Sequence, residues 1–354
     1  MRFGFVGLGF ATRCLHLPAV RALPNGVGVG GVDSDPGRQA EWARLDAGPV
    51  FSSLPELLDR GKPDVVVIAT PPDSHASLCL TALDAGVDVV CEKPFVETRA
   101  QAEEVLAAAR RAGRWVAVNH EFRYMPIFAA VAREVGRPGV GRAVFLHCTQ
   151  FMDLAPWEEK VAWRAAMPDR SLFEGGVHLI DLLHLIAGRL PRRVSAMASS
   201  GLDPEKHADA IHLVTLDYGD GLLGQITIDR LCRAGTRYAD LQVDCEQASL
   251  RASYGGRAYL QVGAKRGERP GVRLDIGLEG LAWAERGLRR EVLARNPRRA
   301  TPRATQALYA AACAAFERNQ EPPTSARIAA DTLLVVEAAY RSAKSGVQVG
   351  LVPA

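Results

Sequence analysis

The sequence predicts an α/β protein in two parts: a doubly wound parallel sheet first, then an α+β domain built on a large, mostly antiparallel sheet. Three observations carry this. Short apolar runs alternate with helical patterns through the first 120 residues, the texture of a parallel sheet covered on both faces. Beyond residue 120, strand patterns follow one another through glycine-containing turns such as Gly219-Asp220-Gly221, which favours hairpins. The chain has 354 residues, more than one hydrophobic core usually serves. We therefore expect domains at 1–120 and 121–354, with the last helices packing back on the first domain.

In the first domain the strand patterns cover 3–6, 27–32, 65–70, 87–91 and 115–118, and the helical ones 11–22, 36–46, 54–59, 74–85 and 98–112. Asp73 and Ser74 are expected to cap the fourth helix, which stops before Gly86; Thr98 opens the fifth and Gly113 closes it. A strand is expected over 140–150, an irregular stretch over 151–172 and a helix over 172–187. Strands follow at 193–199, 209–217, 221–230, 238–246, 248–254 and 257–263, and helices at 301–318 and 326–345. There is no internal repeat and no low-complexity tract.

Composition narrows the function classes. Hydrophobic residues make up 48% and charged residues 23%, ordinary for a globular protein. A net charge of +3 is too small to argue for nucleic acid or a membrane surface. The seven cysteines form no C-x-x-C pair, so neither a zinc ribbon nor a disulfide framework is expected. No apolar run approaches the ~20 residues of a membrane helix, and the chain enters a strand at once with no signal-peptide layout. Buried thiols in the cytoplasm are the expectation.

Several stretches carry chemistry. The first strand leads into Gly7-Leu8-Gly9-Phe10-Ala11-Thr12. A G-x-G-x-x-G/A loop between strand and helix lets the backbone approach a pyrophosphate; Thr12 stands where a third small residue is usual. Asp33 ends the second strand, where a carboxylate bonds the adenosine ribose and repels a 2′-phosphate. NAD is thus expected over NADP, and the competing reading is a tight turn beside a solvated Asp. The expected cofactor-binding set is Gly7, Gly9, Phe10, Ala11, Thr12, Asp33, Ser34, Arg38, Thr70, Pro71, His75, Glu92 and Lys93.

The third strand ends on Thr70-Pro71 and the fourth on Glu92-Lys93-Pro94, both at the carboxyl edge where ligands bind in this architecture. There the Lys93 ammonium would stabilise negative charge on a substrate oxygen, with Pro94 fixing the backbone through a cis bond; the competing reading is a surface lysine in a turn. Glu174, His178 and Asp181 are spaced four and three apart, one face of a helix. An imidazole flanked by carboxylates suits acid–base work. Two readings compete: a satisfied polar pair under the sheet, or a metal site, but no second His-rich segment supplies further ligands, so no metal is expected. Arginines 286, 289, 290, 295, 298, 299 and 303 would attract a phosphorylated or nucleotide-linked sugar, or form a solvated face or oligomer rim.

GLGFAT, HLPAVRALP, VDSD, ATPPDSHASLCLTALDAG, VVCEKP, NHEFR and GGVHLIDLLHLIAG occur in that order, and the chain in this resembles the Gfo/Idh/MocA oxidoreductases. The resemblance covers the first domain closely and the second to about residue 190; the final helices also look like the family's, whereas 235–300 carry no placeable motif. It implies a Rossmann domain, a nicotinamide cofactor, and an active site between the domains. Lys93 would contact the substrate hydroxyl and the cofactor, and His178 would accept the proton. Glu174 stands where the family has Asp, a departure that adds a methylene. Asn119 and Arg123 match residues near substrate or nicotinamide, and Trp163-Arg164 a pair preceding the catalytic helix; Asp181 completes the expected substrate contacts. The implied partners are a sugar, cyclitol or other polyol and a second copy of the chain, as a homodimer or homotetramer through the second sheet. Alternatives in other classes are a cofactor-sensing regulator without chemistry and a glycosidase that recycles NAD.

Overall fold

Arg2–Val6 (β1) lies at the centre of a six-stranded sheet in a computed structural model that describes residues 1–153, 171–201, 209–233, 237–255, 257–263, 271–287 and 289–351. The sheet adds Val27–Val32 (β2), Val50–Phe51 (β3), Val65–Ile68 (β4), Asp88–Cys91 (β5) and Val116–Val118 (β6) in the order β3-β2-β1-β4-β5-β6. Every pairing is parallel. The order reverses between β1 and β4, which puts a ligand crevice at their carboxyl ends. Burial on both faces explains the uninterrupted apolar runs: all four residues of β4 are wholly buried.

Contacts divide the chain into two compact units, Met1–Tyr124 with Thr301–Leu333 and Met125–Ala300 with Leu334–Ala354. The first unit is the expected doubly wound sheet. A π-helical turn, Thr12–His16, runs into α1 (Leu17–Ala22); α2 (Pro36–Ala43), α3 (Leu54–Glu56), α4 (His75–Asp84) and α5 (Arg99–Ala112) follow. Helix α5 is bounded as the sequence indicates. Thr98 and Gln101 exchange a capping box, and Gly113 closes the helix in the left-handed conformation. The cap expected for α4 is absent. Ser74 gives its hydroxyl to the Pro71 carbonyl and meets the Thr70 hydroxyl at 2.6 Å, so neither it nor Asp73 caps α4, which continues a 3-10 turn, Pro72–Ser74. A distant helix, α8 (Ala300–Glu317), completes this unit's core: Leu308, Tyr309, Ala312, Cys313 and Phe316 pack with Phe3, Phe5, Val65, Val67 and Val90.

The second unit holds α6 (Pro126–Glu134) and a nine-stranded sheet. Its strands are Ala143–Phe151 (β7), Arg193–Ser199 (β8), Ile211–Gly219 (β9), Leu222–Asp229 (β10), Arg237–Cys245 (β11), Ser249–Tyr254 (β12), Gly280–Arg286 (β15), Arg289–Arg295 (β16) and Val349–Gly350 (β17). Only β7 and β10 run parallel; the other pairs are antiparallel. Arg257–Gly263 (β13) and Gly271–Gly277 (β14) form a separate hairpin. Strands β14 to β16 fall where the sequence offered no motif, and the strand expected from 140 begins at Ala143, because Val140 closes a turn onto Arg137. The basic stretch forms part of the β15–β16 edge: Arg286 bonds the Gly139 carbonyl, and Arg290 stacks 4.2 Å over the Trp283 ring. One sheet face is apolar and covered, by α6 and by α7 (Val177–Ala187). The other exposes Met197, Leu213 and Leu223 at 72%, 43% and 48%.

Replacing Thr98 by Ala removes one half of the α5 capping box and is expected to cost about 1 kcal/mol. A fall in the urea midpoint with an unchanged slope checks it, and Gln101→Ala should cost less.

Candidate functional site

The loop after β1 is held from three sides. Gly7 has φ of +86°, and a Cβ there would stand 2.6 Å from the Ala69 carbonyl oxygen; no side chain fits between β1 and β4. The Leu8 amide donates to Asp33 Oδ2 at 2.7 Å, and the Asp35 amide donates to Oδ1 at 2.9 Å. Asp33 thus ties the loop to the end of β2, with the Arg38 guanidinium 3.6 Å away. Thr12 is wholly buried and its hydroxyl returns to the Gly7 carbonyl. That is why a larger residue is accepted at the third fingerprint position: it turns inward and braces the loop. A Cβ on Gly9 would meet nothing nearer than Arg38 at 4.0 Å, so the loop backbone is open to a close-approaching group. Phe10 is 73% exposed, with Ala11 partly buried beside it and Ser34 exposed after Asp33.

Two strands across, β5 delivers Glu92 and Lys93 to the same edge. Glu92 is the anchor. Its Oε1 accepts from Asn119 Nδ2 at 2.8 Å and lies 2.9 Å from His16 Nε2; its Oε2 accepts from the Lys93 amide at 3.0 Å. Burial pushes this carboxyl up. The His16 hydrogen bond, the Lys93 charge and the Asn119 hydrogen bond together outweigh burial and hold it at about 2. The Lys93–Pro94 peptide is cis, as expected. His75 is wholly buried and clamps the turn: Nδ1 lies 2.9 Å from the Pro94 carbonyl and 3.0 Å from that of Phe95, and Nε2 lies 2.9 Å from the Thr70 carbonyl. Its ring thus faces protein on both sides. Pro71 follows Thr70 in the loop, Asn119 is buried at the end of β6, and Arg123 is partly buried in the turn Glu121–Tyr124.

The second unit gathers Glu174, His178 and Asp181. Glu174 lies on a π-helical turn, Ser171–Gly176, and the other two on α7. Glu174 is the partly exposed member; His178 is 2% exposed and Asp181 wholly buried. Arg164 lies outside the described residues. Beneath the π turn sits Arg230, which sequence reasoning missed. It is 3% exposed and donates to the Ser171 carbonyl at 3.2 Å. A Cβ on Gly175 would fall 1.6 Å from its guanidinium, so Gly175 leaves room for this cation. Burial works against the Arg230 charge, while nearby Glu174, Tyr238, Asp209 and Tyr340 support it. Asp209 accepts from the Ser171 amide at 2.8 Å and from the Tyr340 hydroxyl at 2.7 Å, with His212 Nε2 at 3.2 Å. A signal existed: Ile226, Ile228 and Arg230 alternate onto the buried face. Among the described residues no group of three or more His, Cys, Asp or Glu is arranged to hold a metal ion.

Comparison with known proteins adds the following. Residues 1–120 match the model of an oxidoreductase family with an NAD-binding Rossmann fold, and residues 128–251 that of the GFO/IDH/MocA C-terminal domain. D-apiose dehydrogenase of Paraburkholderia graminis is 28% identical over 352 residues, covering 96% of this chain and 87% of that protein. Inositol 2-dehydrogenase 2 of Saccharopolyspora erythraea is 29% identical over 245 residues, covering 64% and 66%. Among solved structures, an Agrobacterium radiobacter oxidoreductase in complex with NAD+, L-tartaric acid and magnesium superposes with a TM-score of 0.82 at 19% identity, covering 99% of this chain and 98% of that one. The WlbA dehydrogenase of Bordetella pertussis, in complex with NADH and UDP-GlcNAcA, gives 0.79 at 20%, covering 100% and 98%. At such identities these structures speak to the fold alone.

The Glu92 carboxyl carries a pH prediction. Its pKa is depressed from 4.5 to about 2 on folding, so its contribution is complete above about 4.5 and is lost as pH falls towards 2. A shift of this size is worth about 3 kcal/mol. Urea titrations across that window should show the loss in the wild type and a flatter dependence in Glu92→Gln.

Proposed function

Because the chain belongs to the Gfo/Idh/MocA oxidoreductase family, we propose that it transfers hydride between NAD and a secondary alcohol or ketone of a sugar, cyclitol or sugar derivative. The observation that carries this reading is the Lys93 turn. An ionised, mostly buried Glu92 fixes its backbone at the sheet edge that also bears the glycine loop and Asn119. Relatives named as D-apiose and inositol dehydrogenases support the substrate class.

The residues fit a dinucleotide. The Gly9 backbone is open on its outer side, which suits a pyrophosphate. Asp33 lies where an adenosine ribose would be bonded, which favours NAD; Arg38, 3.6 Å away, supplies a partly opposing charge. The cofactor supplies the carbon that exchanges hydride. Lys93 stabilises the negative charge that grows on the substrate oxygen. His178 accepts the hydroxyl proton, and Glu174 orients it or the substrate. Asn119, Arg123, Arg164 and Asp181 are the further substrate contacts of this reading.

The uncovered sheet face, with Met197, Leu213 and Leu223 exposed, supports a homodimer or homotetramer through that face. All seven cysteines are free thiols, which supports a reducing compartment, the cytoplasm. Among the described residues no helix is long and apolar enough to cross a membrane.

Absorbance at 340 nm, with NAD and a panel of cyclitols, sugars, sugar acids and nucleotide sugars, tests the reading. Lys93→Met should lower turnover at least ~10²-fold, and near-normal turnover would sink the mechanism. His178→Asn should act comparably. If both serve one hydroxyl, the double variant loses much less than the product of the two single losses. Asp33→Asn keeps an acceptor for the Leu8 amide and removes the charge; its preference for NAD over NADP should fall about tenfold. Unchanged selectivity would refute the ribose assignment.

A further inference from the structure

A buried polar chain reaches the Lys93 turn from residue 309. The Tyr309 hydroxyl lies 2.9 Å from His16 Nδ1, and His16 Nε2 lies 2.9 Å from Glu92 Oε1. Tyr309 and His16 are both wholly buried. The three side chains come from α8, from the π turn after the glycine loop, and from the end of β5. Nothing in the proposed chemistry uses the first two.

Proton accounting gives the chain a direction. Glu92 is ionised, so its oxygens only accept, and His16 must carry its proton on Nε2. Burial, with Glu92 and Cys313 nearby, pushes the Tyr309 hydroxyl well up, so it keeps its proton and donates to His16 Nδ1. Asn119 reads the result. Its Nδ2 donates to Glu92 Oε1, which turns Oδ1 away, and that buried oxygen has no hydrogen-bond partner among the described residues. Were Glu92 to take a proton, its O–H would favour the opposite amide orientation.

We propose that Tyr309 and His16 are positioning residues. Through Glu92 they fix the Lys93 backbone and hold Asn119 with its oxygen offered to an N–H or O–H donor of the bound ligand. The inference rests on the role assigned to Lys93 above. Tyr309→Phe keeps the ring packed 6.1 Å from Phe3 and removes only the hydroxyl. His16→Gln retains an N–H for Glu92 and removes the acceptor for Tyr309.

Two readouts test this on the full chain. In 15N-histidine spectra, with His16 identified by its loss in His16→Gln, the proton should sit on Nε2, and Tyr309→Phe should shift only Nδ1. With the substrate found by the panel, Tyr309→Phe and His16→Gln should each lower kcat about tenfold without compounding. NADH affinity, read by fluorescence, should stay within about twofold. A proton on Nδ1, a Tyr309→Phe kcat within about twofold of wild type, or fully compounding losses would overturn the proposal. Lys93→Met assayed alongside separates the two claims. Normal turnover there removes the dehydrogenase mechanism and this proposal with it; normal turnover only in Tyr309→Phe removes the positioning role alone.

Discussion

A charge kept inside the first unit organises the edge of its sheet. Glu92, mostly buried, stays ionised because three donors reach it: His16 from the turn after β1, the Lys93 amide beside it, and Asn119 from the end of β6. Losing one donor leaves a buried carboxylate short of a partner, which is far costlier than one exposed hydrogen bond. The positions of β1, β5, β6 and α8 are therefore coupled through one functional group. Apolar packing among Phe3, Phe5, Val65 and Val90 supplies the bulk of the cohesion, but it would tolerate small slips. The carboxylate does not.

The second unit uses opposite signs for a similar end. Arg230 is a buried cation under the π turn, bonded to the Ser171 carbonyl and flanked by Gly175. Asp209 receives the Ser171 amide and the Tyr340 hydroxyl. Both polar faces of one peptide segment are thus clamped just before Glu174. π turns misalign helical hydrogen bonds and occur where function rewards it; here the misaligned groups are answered by side chains from β10's end and the last helix, α9 (Ala326–Ser345).

What the sequence disclosed follows from the range of the interactions. Parallel strands buried on both faces read as plain apolar runs, so β1, β2, β4 and β5 were legible, and so was α5, whose caps lie within its own ends. The Gly7 turn and the cis Lys93–Pro94 bond were legible as conformations because a glycine and a proline at a strand end restrict the backbone locally. Tyr309 and His16 were not: they meet across 293 positions, and each alone looks like an ordinary core residue. Strands β14 to β16 escaped because arginine and glycine there mimic a solvated loop, though Leu281, Ala282, Trp283 and Ala284 are buried. Ser74 misled because a hydroxyl free to cap is also free to bond backward. Thr12 looked like a flaw in the fingerprint and proved to be its inward brace.

The first unit is assembled from two stretches separated by most of the second. On a ribosome, its sheet strands emerge early, yet the surface of β1 and β4 that α8 covers stays bare until Phe316 has been made. For that interval Phe3, Phe5, Val65 and Val67 present an apolar face to solvent, the condition in which nascent chains recruit chaperones or aggregate. The same arrangement makes synthesis self-checking. A chain cut short before α8 lacks Tyr309 as well as the core residues, so it cannot close its sheet or complete the polar chain to Glu92.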